Sequence, residues 1–538
     1  MKKSVPIIPF AFVLTTLSGV LLSAAWPAKG FPGLLFFALV PMFLAEKHLR
    51  ENTKNNLSVS FLAFWWGFLI FNFLTTYWIY FATDVGSIAA WICNSMFMAL
   101  VWYAYAWLQK NRDARIAIWG LITTWIGFEF GHMRWDLTWP WLTLGNAFAN
   151  FPEWVQWYEI TGTLGGSLWV LVVNWLLFQA IFQFSNKSYF RKKLIIAISL
   201  ICLPIIASYI RYATYKDADL KAEIVVVQPN IDPYNEKFST NGDWQLQRLI
   251  KLGFDQATPN TKYIICPETA IPYGIWKHYQ DDSEEIDSIR NHIKKFPQLS
   301  FLTGLTYLVK YPADATNVPM EATQNKRGEW VIDYNSSMNI DTSRNLQFYH
   351  KSKLVPGPER LPFQRFLKPF QESIFDNLGP IGNMGTQPYR SVFYNPDSTV
   401  IAAPVICYES IFGDYVTDYV KIGANFIAII TNDGWWRDTP GYKQHFQYAR
   451  LRAIENRRSV ARSANTGISG FINERGDIIQ QSNWDEAIAL RHEISINNKK
   501  TIYTEHGDII GRMAFFGAIL LLVFQKMKIF LKKKKSIV

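Results

Sequence analysis

The hydrophobic and polar positions fall into two unlike patterns. Before residue 211 the chain consists of long apolar runs, at approximately 6–25, 30–45, 58–79, 87–108, 116–133, 164–184 and 194–209, and one more at 513–531 closes it. A helix that crosses a bilayer needs about 20 mostly apolar residues. These runs therefore predict about eight transmembrane helices in a multi-pass α-helical membrane domain. The second run is short but is read as a span. The first follows Lys2 and Lys3 and has the outline of a secretory signal peptide; the spans behind it favour an anchor that stays uncleaved.

From residue 222 the pattern changes. Short β-branched runs at 223–228, 262–266, 300–307, 400–406 and 425–431, followed by 467–473 and 487–494, read as strands. Amphipathic helical stretches lie between several of them, at 243–257, 283–295, 412–422 and 442–457. Strands alternating with helices predict an α/β domain. The polar stretch 314–328 reads as a loop or hairpin connection, and 462–467 as a turn leading into the next strand. The expected division is a membrane domain over 1–210, an extracytoplasmic domain over 221–501 and a last membrane helix over 512–531.

Composition sharpens this. Only 18% of the 538 residues are charged, against about 25% in soluble domains. A purely soluble enzyme is excluded, and so is a disordered or fibrous chain. Four Cys residues exclude a disulfide scaffold. The net charge of +11 suggests nucleic acid until its placement is considered. Lys2 and Lys3, then Lys47, Arg50 and Lys54, then Lys110, Arg112 and Arg115, then Lys187, Arg191, Lys192 and Lys193, and finally Lys532–Lys535 all fall on one side of the predicted spans. Basic loops stay cytoplasmic. Both termini are then cytoplasmic and 211–511 lies outside. The terminal lysine run reads as a flank meeting anionic lipid, not as a nucleic-acid patch. Between the fifth and sixth spans, Trp135, Trp139, Trp141, Trp154 and Trp157 form either an interfacial aromatic belt or the wall of a lipid cleft.

Three segments at strand ends carry reactive groups: Cys266-Pro267-Glu268-Thr269-Ala270, Tyr349-His350-Lys351-Ser352-Lys353 with Glu359 shortly after, and Pro404-Val405-Ile406-Cys407-Tyr408-Glu409. Taken singly, each has an ordinary reading. A Cys ending an apolar strand is usually a small buried hydrophobe; the Glu reads as a cap or ion-pair partner and the Lys as a solvated side chain. No His-Glu-x-x-His, Cys-x-x-Cys or Walker loop is present. His350 and His445 stand isolated in the sequence, and neither a metal nor another cofactor is expected.

Together, Glu268, Lys351 and Cys407 resemble the Glu-Lys-Cys triad of the nitrilase superfamily. Thr431-Asn432-Asp433-Gly434-Trp435, Gln444-His445-Phe446-Gln447 and Arg462-Ser463-Ala464-Asn465-Thr466-Gly467 extend the resemblance, which implies a nitrilase-like αββα sandwich. Such a domain between a seventh and an eighth span resembles one family, the apolipoprotein N-acyltransferases, over nearly the whole chain. The resemblance implies an inner-membrane acyltransferase, the last enzyme of bacterial lipoprotein maturation. It would move an acyl chain from a membrane phospholipid, typically phosphatidylethanolamine, through a Cys407 thioester to the α-amine of a diacylglyceryl-Cys on an apolipoprotein. Glu268 would act as base and acid, with burial raising its pKa. Lys351 and the Tyr408 N–H would hold the oxyanion, and Glu359 and Glu409 would support them. Phe238, Trp435 and Trp436 are candidate substrate or lid residues.

The sequence departs from the family in places. Pro356-Gly357-Pro358-Glu359 stands where Pro-Phe-Gly-Glu is common, Phe238 where Trp is frequent, and Trp436 where Phe is usual. Two alternatives keep other chemistry open: a membrane-tethered nitrilase or amidase, and a non-catalytic envelope scaffold.

Overall fold

The computed structural model describes residues 7–53, 56–237, 239–368 and 382–535. The chain divides into two compact units: Met1–Tyr77 with Val85–Arg211 and Asp508–Val538, and Trp78–Asp84 with Tyr212–Gly507.

The first unit is helical. Among the described residues, six helices are long and apolar enough to cross a membrane: Ile7–Ala24, Pro32–Asn52, Leu57–Phe81, Asp84–Asn111, Tyr158–Phe182 and Lys187–Thr214. The fifth predicted span is helical over Ala114–His132 but is less apolar. It carries the buried Glu129, which accepts hydrogen bonds from Trp125 Nε1 at 3.0 Å and the Leu144 N–H at 2.9 Å. The predicted closing span lies in the helix Ile509–Lys535, whose apolar part among the described residues is the shorter Ile509–Leu521.

Two details explain how these helices pack. Gly19 and Gly67 bring the first and third together: a Cβ on Gly19 would lie 2.3 Å from the Gly67 carbonyl oxygen, the close approach that small residues permit between apolar helices. The short second run breaks at Leu39, between Leu35–Ala38 and Val40–Asn52. There the Asn174 amide replaces one helical hydrogen bond, accepting from Leu39 N at 2.8 Å and donating to the Leu35 carbonyl at 2.7 Å. Backbone groups without water need such a partner. In the tryptophan-rich loop, Trp141 is buried and stacks on Trp139.

The second unit contains two sheets. One runs, edge to edge, Ile488–Ser495, Lys221–Gln228, Thr261–Ile265, Ser300–Tyr311, Trp330–Ile340 and Thr323–Gln324, with Ile275–Trp276 and Gln347–His350 attached to its longer strands. The other runs Ile478–Gln481, Gly470–Ile472, Val460–Ala464, Phe426–Thr431, Ile401–Ile406 and Phe393–Tyr394. The central strands of each are parallel, as the continuous apolar runs EIVVVQ and NFIAIIT predict for strands covered on both faces.

Helices Gly242–Gln256 and Glu284–Ile293 cover the first sheet, and Gly413–Lys421 and Pro440–Asn456 the second. The sheets face one another. The buried Tyr263 hydroxyl reaches the Phe393 carbonyl at 2.9 Å, and Ser463 Oγ donates to the Val227 carbonyl at 2.7 Å. The result is the expected αββα sandwich. Two sequence readings need correction. The longest partner strand, Trp330–Ile340, is absent from the predicted set: its WVIDYNSSMNI is too polar to read as a buried strand. The stretch 462–467 is not simply a turn, because Arg462 lies within the strand Val460–Ala464, paired with Ile429 and Gly470.

Candidate active site

Three strand ends bring the predicted groups together. After Thr261–Ile265 the chain keeps pairing with its neighbour: Cys266 N donates to the Leu302 carbonyl at 2.8 Å, Gly304 N to the Pro267 carbonyl at 3.0 Å and Ile271 N to the Gly304 carbonyl at 3.0 Å. The turn carrying Glu268 therefore lies directly on Gly304. A Cβ there would come within 2.5 Å of Thr269 N and 2.6 Å of the Pro267 carbonyl oxygen. Lys351 follows the strand Gln347–His350, with its N–H on the Asn335 carbonyl at 2.8 Å. Cys407 ends the strand Ile401–Ile406 and opens a short 3₁₀ turn with φ of +50°. That is an uncommon conformation for a residue with a side chain.

Glu268, Lys351 and Cys407 are all buried, at 7%, 1% and 9% exposure. Lys351 Nζ lies 3.0 Å from Glu268 Oε1 and 2.8 Å from Glu359 Oε1. Asn335 Nδ2 donates to the same two oxygens, at 2.7 and 3.1 Å. Glu359 Oε2 accepts from Val355 N at 2.7 Å. The departure Pro356-Gly357-Pro358 thus forms a tight loop, with Gly357 at φ +93°, that still delivers Glu359 to Lys351.

These contacts set the protonation states. Burial alone would raise the Glu268 carboxyl, but the Lys351 ammonium, the Asn335 amide and Lys237 outweigh it and hold the carboxyl below its usual range. The expectation of a raised Glu268 pKa is corrected: it counted burial beside a thiol and not an ammonium 3.0 Å away. Burial also works against the Lys351 charge, but Glu268 and Glu359 push its pKa well up. The Cys407 thiol is pushed well up, first by burial and then by the Glu268 carboxylate, while Lys351 and Thr431 oppose this. At rest the site holds a carboxylate, an ammonium and a thiol.

The supporting residues have definite places. Glu409 is fully buried. Its Oε1 accepts from Ser352 N at 2.7 Å, Tyr349 Oη at 2.7 Å and Tyr415 Oη at 2.7 Å, and its Oε2 from Ile406 N at 3.0 Å. One carboxylate therefore links the backbone after Lys351 to the backbone before Cys407. Tyr408 is buried and its ring meets Phe412. Trp435 packs against Tyr234, whose hydroxyl reaches the Trp435 carbonyl at 2.6 Å. Trp436 packs against Trp78 and His445. Phe238 lies outside the described residues.

Sequence reasoning missed three participants. Asn335 sits on the strand that was not foreseen. Lys237 hydrogen-bonds Thr269 Oγ1 beside Glu268, and burial lowers its pKa to about 8. His445, isolated in sequence, is buried with its Nδ1 3.0 Å from Asp433 Oδ1, and Arg462 Nη2 lies 2.8 Å from Asp433 Oδ2. Only the motif matches around Asp433, His445 and Arg462 signalled it. Among the described residues no group of His, Cys, Asp and Glu could hold a metal ion.

Comparison with known proteins agrees with this architecture. Residues 223–498 match the carbon-nitrogen hydrolase family model, and residues 18–176 match that of the apolipoprotein N-acyltransferase N-terminal domain. The chain is 31% identical over 514 residues to the apolipoprotein N-acyltransferase of Chlorobaculum tepidum, which covers 93% of each chain. It is 27% identical over 572 residues to apolipoprotein N-acyltransferase 1 of Treponema denticola, covering 99% of this chain and 100% of that one. It is 25% identical over 547 residues to the Pasteurella multocida enzyme of the same name, covering 98% and 96%. With a carbon-nitrogen hydrolase sandwich, an apolar helical unit and similarity along almost its whole length, the chain belongs to the apolipoprotein N-acyltransferase family.

Proposed function

We propose that this protein transfers an acyl chain from a membrane phospholipid, through a thioester on Cys407, to the α-amine of the N-terminal diacylglyceryl-cysteine of apolipoproteins. The observation that carries the reading is the buried Lys351 ammonium bridging Glu268 and Glu359, close enough to Cys407 for both Lys351 and Glu268 to shift its thiol. Phosphatidylethanolamine is the proposed donor. The chain would divide into a membrane segment over 1–210, a catalytic segment over 221–501 and a terminal helix over 512–531. The placement of basic loop residues supports an inner-membrane protein with its catalytic domain on the periplasmic side and both termini cytoplasmic.

In the first half-reaction Cys407 Sγ attacks the ester carbonyl while its proton passes to Glu268. With the thiol raised and the carboxyl lowered, that transfer is uphill at rest and proceeds as the carbon–sulfur bond forms. The carbonyl oxygen becomes an oxyanion, held by Lys351 and the Tyr408 N–H; preorganised donors of this kind are usually the largest single catalytic effect. The carbon–oxygen bond then breaks and Glu268 returns the proton to the lysophospholipid hydroxyl. In the second half-reaction the amine attacks the thioester and gives its proton to Glu268, and Cys407 leaves to be reprotonated. Two half-reactions through one acyl-enzyme imply ping-pong kinetics.

The test uses purified full-length protein in phospholipid nanodiscs with labelled phosphatidylethanolamine and a diacylglyceryl lipopeptide. Transfer of label to the lipopeptide amine, lost in Cys407→Ala, is the expected outcome. Release of ammonia from small amides without acyl transfer would establish the amidase alternative instead.

A further inference from the structure

The carbonyl of Cys407 sits in a buried triangle. Ser410 Oγ lies 2.7 Å from it, His445 Nε2 lies 3.2 Å from it, and Ser410 Oγ and His445 Nε2 are 2.9 Å apart. Cys407, Ser410 and His445 are 9%, 1% and 1% exposed. A carbonyl oxygen only accepts, and a serine hydroxyl brings one proton. That proton can serve the carbonyl or the ring but not both. When Nε2 carries the ring proton, both contacts onto the Cys407 carbonyl are donated, and Nδ1 then accepts from Arg462 Nη2. At the other end of the ring, Nδ1 faces Asp433 Oδ1 and Arg462 Nη2, both at 3.0 Å. Arg462 in turn holds Asp433 through contacts of 2.8 and 3.1 Å, so the ring is fixed from behind.

What this fixes is a peptide plane. The Cys407 carbonyl and the Tyr408 N–H belong to one rigid planar unit and point in opposite directions. Anchoring the oxygen on His445 aims the N–H the other way. Cys407 has φ of +50°, a sparsely populated conformation that persists only when its surroundings impose it. The triangle is such an imposition.

We propose that His445 is a positioning residue for acylation: its Nε2–H, donated to the Cys407 carbonyl, holds the nucleophile's turn and points the Tyr408 N–H at the developing oxyanion. The proposal rests on the thioester reading above. It adds a role for the otherwise unassigned set of His445, Ser410, Asp433 and Arg462.

Two substitutions separate position from bulk. In His445→Gln the amide nitrogen reaches the Nε2 position and can still donate. In His445→Asn it stops near the Nδ1 position and cannot. Full-length variants in nanodiscs are loaded with phosphatidylethanolamine, and single-turnover formation of the Cys407 thioester is timed by intact-protein mass spectrometry. In parallel Cys407 is alkylated with iodoacetamide, a displacement that forms no oxyanion. The expected result is acylation slowed about 10²-fold in His445→Asn, the scale of a displaced donor, with half-saturating donor within about twofold. Rescue in His445→Gln should come within several-fold of wild type, and alkylation should be nearly equal in all three. Ser410→Ala, which keeps the ring, should lose less than His445→Asn. Selective ¹⁵N-histidine NMR should find Nε2 protonated.

Wild-type acylation in His445→Asn, equal loss in Gln and Asn, or equal loss of acylation and alkylation would each overturn the proposal. So would an unprotonated Nε2. A wild-type protein that alkylates but never forms a thioester would remove the function reading itself, which is a separate outcome.

Discussion

Lys351 Nζ stands 3.0 Å from Glu268 Oε1, with the ammonium 1% and the carboxylate 7% exposed. Glu359 approaches the same ammonium from its other side at 2.8 Å. One cation therefore serves two carboxylates, and the charge of Glu268 depends on it. A buried pair of this kind is expensive to break, because removing one partner leaves the other uncompensated.

The first prediction concerns that dependence. In Lys351→Met, Glu268 and Glu359 face one another across Asn335 with no ammonium between them, so the Glu268 pKa rises. A base must be ionised to act, so the alkaline shift appears directly in a pH profile. Single-turnover acylation should fall at least about 10²-fold, and its acid limb should move to higher pH. Glu359→Gln keeps an acceptor for Lys351 and should cost less, with a smaller shift. An unchanged acid limb in Lys351→Met would separate Glu268 from the proton transfer.

Glu409 gives a second prediction. Its carboxylate satisfies Ile406 N, Ser352 N and the hydroxyls of Tyr349 and Tyr415 at once. In Glu409→Ala these donors lose their acceptor in a buried place, at about 1–3 kcal/mol for each one left unsatisfied. Unfolding of the detergent-solubilised protein should show several kcal/mol of lost stability. Glu409→Gln, which keeps one acceptor oxygen, should lose less. Acylation should slow in both, because the carboxylate ties the Lys351 and Cys407 segments together.

Acid stability should report Asp433. Burial would raise this carboxyl, but Arg462 and His445 hold it below its ordinary value. Its contribution to folding is therefore complete above the unfolded pKa of about 3.9 and fades as pH falls below that value. Asp433→Asn should flatten the acid limb of the stability curve below pH ~4 relative to wild type. Arg462→Met, which strands the buried carboxylate, should cost about 3–5 kcal/mol near neutral pH. Chemical denaturation followed by tryptophan fluorescence across pH measures both.

Gly304 provides a backbone test. A Cβ here would collide with the Thr269 amide and the Pro267 carbonyl, so Gly304→Ala must shift the turn that carries Glu268. Displacements of about 1 Å can cost 10²-fold in rate. Acylation in Gly304→Ala should fall by about that factor while the protein still extracts and melts as a folded species. Full activity in this variant would mean that the Glu268 turn tolerates displacement.

Much of this was legible in the sequence, for physical reasons. A strand buried on both faces writes itself as an unbroken apolar run, so EIVVVQ, VIAAPVI and NFIAIIT declared an α/β domain and, by their ends, the position of Cys407; the sandwich itself came from the family resemblance. Glu268 and Lys351 were found through their motifs and not through any periodicity. What stayed hidden is polar and long-range. Trp330–Ile340 alternates Asp, Asn and Ser with apolar residues, and its Asn335 meets Glu268 only because hairpin pairing with Ser300–Tyr311 carries it there. His445 and Arg462 lie 17 residues apart, on a helix and a strand, and nothing local announces that they share Asp433. The sign of the Glu268 shift was missed because burial can be guessed from neighbouring residues, whereas a 3.0 Å ammonium from 83 residues further on cannot.

The most direct measurement is intact-protein mass spectrometry of the wild-type protein purified with its native phospholipids and no acceptor. The account predicts a mass increase equal to one fatty acyl chain, mapped to Cys407, removed by neutral hydroxylamine and discharged by a diacylglyceryl lipopeptide. A Cys407 that stays unmodified while the protein still acylates the lipopeptide would contradict it, because the acyl group would then reach the amine without resting on that sulfur.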